Sequence, residues 1–155
     1  MYGRFAAISL STVTCEARAL LRQVEVMMGQ APNLLRTMAN VPAVLEGYLA
    51  FEAALAGGTL SLALLIASFH GCSYERCRHR ALGELVGLTK RDVLVAQHGR
   101  ALVIKQGRVT DDDLDTVLRA GYRDSEIMEI IAVVAVNVLT NYVALVAEVE
   151  LDGSV

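Results

Sequence analysis

A thiol, a carboxylate and an imidazole stand at offsets of zero, three and seven in Gly71-Cys72-Ser73-Tyr74-Glu75-Arg76-Cys77-Arg78-His79. On a helix, residues advance about 100° each, so Cys72, Glu75 and His79 would share an arc of roughly 60°. Two chemistries follow from that stripe. A cysteine at the positive end of a helix becomes a better thiolate, with a pKa below the usual ~8.5, and can act as a nucleophile or redox centre. A Glu and a His at i and i+4 can hydrogen-bond and act as a general acid/base pair. The plainer readings are a small buried cysteine and a solvated surface pair.

The flanking residues bear on the same site. Cys77 falls about 140° from Cys72 on a helix, and a bond between their sulfurs would need Cα atoms within about 7 Å, so Cys77 reads as structural. Tyr74 and His70 either line the pocket or serve as packing and helix-end residues. Arg76, Arg78 and Arg80 spread over several faces and read as a solvated or inter-subunit surface. A metal site built on Cys72, Glu75 and His79 would lack a clear fourth ligand, and Asp111-Asp112-Asp113 read as first-turn carboxylates favoured by the helix dipole. No metal and no cofactor are expected.

The elements that must position this stripe are helical. The segment Glu16 to Met28 places Ala17, Leu20, Leu21, Val24, Met27 and Met28 on one face, with Gly29 as a stop. Asn33 can cap a short helix through Met38, and Pro42 can open another over Ala43 to Leu55, ended by Gly57-Gly58. Leu60 to Phe69 is apolar and leads into the stripe, whose helix ends near Gly87. Thr89-x-x-Asp92 and Thr110-x-x-Asp113 open two further helices in capping-box fashion, the second stopping at Gly121. A last helix runs from about Ser125 to Val146, since its valine-rich stretch exceeds the length of a strand. The expectation is one all-α domain over 1–155, with seven or eight helices.

Composition narrows the partners. The chain has 155 residues, 54% hydrophobic content and a net charge of −3, which permits a well-buried core but gives no electrostatic reason for nucleic acid or an anionic membrane. Three cysteines, Cys15, Cys72 and Cys77, are too few and odd in number for a secreted disulfide framework. The first residues lack a secretory h-region, so a cytoplasmic location is expected. Ile127 to Ala147 is long enough to cross a bilayer. It nevertheless carries Glu129, Asn137, Thr140 and Asn141 without a flanking Lys/Arg cluster, so a central helix buried on nearly all sides is expected instead. Asn137, Asn141 and Tyr142 then read as bridges between helices or subunits, with substrate contact as the other reading.

Several of these stretches together resemble the carboxymuconolactone decarboxylase superfamily, in its AhpD-like alkylhydroperoxidase branch. They are Ala31-Pro32-Asn33-Leu34-Leu35-Arg36-Thr37-Met38, Pro42 with Leu45-Glu46-Gly47-Tyr48, Gly71-Cys72-x-Tyr74, Gly121-Tyr122 with Ile127-x-Glu129-Ile130, and Asn137-Val138-Leu139-Thr140-Asn141-Tyr142. The resemblance spans nearly the whole chain. It implies an all-helical fold that assembles into dimers, trimers or hexamers. For the peroxidase branch it implies a C-x-x-C-x-x-x-H site, in which the second Cys attacks peroxide, the first resolves it, and the His relays protons with a Glu on the preceding helix.

Against that pattern, Cys72 matches the first Cys and His79 the His, while Glu75 stands where the attacking Cys belongs and Leu60 where the Glu belongs. Val133 and Leu145 stand where relatives often carry His, and the connection from Gly99 to Arg108 looks shortened. The leading expectation is therefore acid–base chemistry by Glu75 and His79 on a small, fairly apolar organic substrate: decarboxylation, isomerisation or cyclisation. Tyr74, Leu60, Val133 and Asn141 would line the substrate pocket. Thiol-dependent hydroperoxide reduction through Cys72 with an external thiol, and a non-catalytic structural oligomer, are the alternatives.

Overall fold

A computed structural model of the chain describes residues 4, 5, 7–9, 11, 13–56 and 90–152. Among these residues there are six helices and no strand: α1 Cys15–Met28, α2 Asn33–Met38, α3 Pro42–Leu55, α4 Lys90–Ile104, α5 Asp111–Arg119 and α6 Asp124–Ala147. The all-α expectation holds, and the boundaries of α3, α5 and α6 fall within about two residues of those the sequence implies. The helices expected between Gly57 and Thr89 lie outside the described residues.

Among the described residues two apolar clusters form the interior, and α6 joins them. Ala17, Leu21 and Val24 of α1 pack with Leu34, Leu35 and Met38 of α2, Leu45 and Tyr48 of α3, and Val136 and Ala144 of α6. Val95 of α4 and Val117 of α5 pack with Tyr122 and with Ile127, Ile130, Val133 and Val134 of α6. Leu21, Leu34, Leu45 and Ile130 are fully shielded, each contributing about 1.5–3 kcal/mol by burial.

Local chemistry explains the helix ends. Thr14 accepts a bond from the Ala17 amide at the start of α1, and Gly29 ends that helix at φ +80, a left-handed turn glycine adopts without strain. At α5, the Thr110 hydroxyl accepts from the Asp113 amide while the Asp113 carboxylate accepts from the Thr110 amide at 2.8 Å, the reciprocal box read from the sequence. Asp113 also pairs with Lys105. These contacts hold its carboxyl far below the usual carboxylate range, the Lys105 hydrogen bond being the largest cause. At α6, the Glu126 carboxylate accepts from the Arg123 amide at 2.9 Å.

Four expectations need correction. Asn33 is the first residue of α2, not its cap; its amide donates to Asp152 Oδ1 at 2.7 Å. A residue 119 positions away thus satisfies the exposed end of the helix. Met27 and Met28 are 67% and 47% exposed, because α1 buries only the narrow face of Ala17, Leu21 and Val24. Gly99 lies inside α4 and is buried, so the connector begins only after Ile104. Finally, α6 is not enclosed on nearly all sides: its most apolar window has a mean hydropathy of 2.2 and is half buried. One face packs into both clusters and the other is open.

Asp152 tests the first correction. Asp152→Ala should lower stability by about 1 kcal/mol, the usual cost of losing a side-chain cap. Urea denaturation monitored by circular dichroism would measure it, and Asp152→Asn, which keeps an acceptor, should recover most of the loss.

Candidate functional site

Cys72, Glu75, His79, Tyr74 and Leu60 all lie outside the described residues, as do His70, Cys77 and the three neighbouring arginines. Val133 and Asn141 are described, and both sit on α6. Val133 is 4% exposed within the second cluster. Asn141 is fully buried. Leu145, by contrast, is half exposed, so Val133 and Leu145 do not share one environment.

Helix α6 carries a buried polar layer that closes on itself. The Asn137 side-chain N–H donates to the Val133 carbonyl at 2.8 Å, and the Asn141 side-chain N–H donates to the Asn137 carbonyl at 2.6 Å. The Thr140 hydroxyl donates to that same carbonyl at 3.0 Å. Both amides donate to the turn before them, and Tyr142 is 60% exposed. The Oδ1 atom of Asn141 is buried with no hydrogen-bond partner among the described residues. An orphaned acceptor of that kind costs about 1–3 kcal/mol.

His98 of α4 is the residue the sequence reading missed. It is 4% exposed, and neither ring nitrogen makes a well-formed hydrogen bond among the described residues. Burial lowers its pKa from 6.5, with the Asp113 charge and backbone pulling the other way; the imidazole is therefore neutral at pH 7. The signal was present in Val95-x-x-His98, a spacing that puts His98 on the buried face beside Val95. Buried groups with perturbed pKa values mark functional positions more often than chance.

Among the cavities between the described helices are these two. One of about 650 Å³ lies between α1 and α3, with Gln23, Glu46 and Glu52 among methionine, leucine and alanine side chains. The other, about 430 Å³, is bounded by Phe5, Val41, Val44, Tyr142, Val143 and Val146. Neither Val133 nor Asn141 reaches them. No group of three His, Cys, Asp or Glu side chains suited to a metal occurs among the described residues.

This helical order matches solved structures along its length. An alkylhydroperoxidase AhpD-core protein from Ralstonia eutropha JMP134, described as peroxidase-related, superposes with a TM-score of 0.84 at 16% identity, covering 99% of this chain and 94% of that one. The chain has the AhpD-core fold. A peroxidase-related protein from Silicibacter sp. TM1040 gives 0.79 at 17% identity, over 98% of this chain and 94% of its own. The debrominase Bmp8 gives 0.70 at 14% identity, over 96% and 91%; a C-to-A variant of it, in complex with 2,3,4-tribromopyrrole, gives 0.72. Neither the protein-family models nor the curated protein sequences match this chain. At these identities the AhpD core is shared as a fold, and the chemistry must come from the residues this chain places on it.

Proposed function

We propose that the protein is an enzyme built on the AhpD core that performs acid–base chemistry on a small, fairly apolar organic substrate. Glu75 and His79 would transfer the proton. The observation that carries this reading is the sequence Cys72-x-x-Glu75-x-x-x-His79, a site that keeps one thiol and the imidazole but has a carboxylate in the position of the second sulfur. A carboxylate cannot take part in a two-cysteine disulfide cycle, whereas beside an imidazole it can orient the ring or accept a proton. The chemistry this supports is decarboxylation, isomerisation or cyclisation.

One observation favours a second reading. A solved relative in fold is a debrominase whose tribromopyrrole complex is that of a cysteine-to-alanine variant. That precedent supports a small-ring substrate, and it keeps Cys72 in contention as a nucleophile on such a ring or on a hydroperoxide, with an external thiol closing the cycle.

Three variants separate the readings: Glu75→Gln, His79→Ala and Cys72→Ala, assayed against carboxylated and halogenated small rings and against an organic hydroperoxide with a dithiol. Acid–base chemistry predicts that Glu75→Gln and His79→Ala each lose at least 100-fold in kcat while Cys72→Ala retains activity. Loss confined to Cys72→Ala would replace the first reading with the second.

A further inference from the structure

The cavity of about 650 Å³ between α1 and α3 has the size of a small-ligand site, which runs to about 300–1,000 Å³. On the α1 side Leu20, Gln23 and Met27 line it, at gaps of three and four that share one helical face. Met27 and Met28, which α1 leaves exposed, therefore border a hollow, and their flexible thioethers can mould to a guest. On the α3 side Glu46 and Glu52 supply two carboxylates. The α3 residues between them that line the cavity are Tyr48, Leu49 and Ala50, none of them charged.

Nothing in this lining answers the negative charge. Neither Glu46 nor Glu52 enters an ion pair among the described residues. No Lys, Arg or His is among the described residues that line the cavity. The two glutamates stand six positions apart on α3, about 9 Å along the helix axis. A metal ion suits them poorly, because no third His, Cys, Asp or Glu joins them among the described residues. The occupant that fits carries a positive charge at each end and an apolar chain between.

We propose that this cavity binds a linear alkane diamine in its doubly protonated form. Each ammonium donates charge-assisted hydrogen bonds to one carboxylate, and the methylene chain lies along Leu49, Ala50 and the methionines. Alkyl amines are fully protonated at pH 7, so the dication is the form presented to the protein. A monoamine of the same length leaves one carboxylate unanswered. A diol brings no charge, and a dicarboxylate brings the wrong one. None of Cys72, Glu75 and His79 is needed for this binding, so it holds or fails separately from the acid–base reading.

Isothermal titration calorimetry of the full chain with 1,6-diaminohexane, at pH 7 and low salt, tests the assignment. The expected result is one saturable site with a Kd below about 1 mM. The diamine should bind about fivefold tighter than 1-aminohexane, the gain from one further ion pair near the surface. Glu46→Gln and Glu52→Gln should each weaken the diamine about fivefold, to the level of the monoamine. Both exchanges keep side-chain size and helix propensity, so the fold is retained. Ala53→Met, at an exposed position that lines the cavity, should weaken binding by occupying space without altering charge. The absence of saturation below about 10 mM, equal affinity for the monoamine or for 1,6-hexanediol, or a diamine affinity indifferent to the glutamate variants would each overturn the proposal.

Discussion

Placing a carboxylate at position 141 should destabilise the protein more than any other single polar exchange on α6. Asn141→Asp should cost about 3–5 kcal/mol at neutral pH, the penalty for an unpaired buried charge, and lower Tm by about 10 °C in a chain of this size. Asn141 is fully shielded and its Oδ1 already lacks a partner. The substitution replaces the N–H group that reaches the Asn137 carbonyl with a second unpaired acceptor. Sign and pH dependence follow together. Burial raises the carboxylate's folded-state pKa above its unfolded value, so the variant recovers stability as pH falls and the group is neutralised.

Asn141→Leu should behave in the opposite way. It removes the orphaned oxygen, and the Asn137 carbonyl keeps its bond from Thr140. Stability should rise by about 1 kcal/mol or stay level. The pair of variants also addresses function. Thermal melts of Asn141→Leu report structure alone, whereas a drop in turnover without a drop in Tm would assign the amide a part in substrate binding.

What the sequence reveals and what it conceals follow a physical division. The box of Thr110 and Asp113, the stop at Gly121 and the length of α6 all depend on residues within a few positions of one another, and each is readable from spacing. The capping of α2 by Asp152 depends on two segments 119 residues apart, and no local pattern encodes it. Exposure divides in the same way. The period of α1 identifies Ala17, Leu21 and Val24, but the width of the buried face depends on the neighbour, which leaves Met27 and Met28 in solvent. For α6, hydrophobicity at every angle is consistent with enclosure or with a second partner, and only the packing of α2, α3 and α4 on one side distinguishes them. The chemistry-bearing run from Cys72 to His79 is legible as a pattern and lies beyond the described helices, so its reading rests on residue types.

His98 sets the second large effect, and its sign is fixed by burial. Its folded-state pKa lies below the ordinary 6.5, chiefly through desolvation. Above pH 6.5 both folded and unfolded chains hold a neutral imidazole and the group is silent. As pH falls through 6.5 the unfolded chain takes up a proton that the folded chain resists, and stability declines until the folded-state pKa is passed. Asp113 does not confuse this window, because its carboxyl is held far below the usual range and stays ionised throughout. Melts between pH 7.5 and 5 should therefore show a falling Tm. His98→Leu gives up only the weak pull of the Asp113 backbone, since neither ring nitrogen makes a well-formed hydrogen bond among the described residues, and should cost less than about 1.5 kcal/mol at pH 7.5. Its Tm should fall less than the wild type's as pH drops from 7.5 to 5, the pH slope flattened. Asp113→Asn should steepen the wild-type slope, because it removes the nearby negative charge that favours the protonated ring. A wild-type Tm that is flat from pH 7.5 to 5 would mean that the folded chain protonates the ring as readily as the unfolded one, against the desolvation argued here.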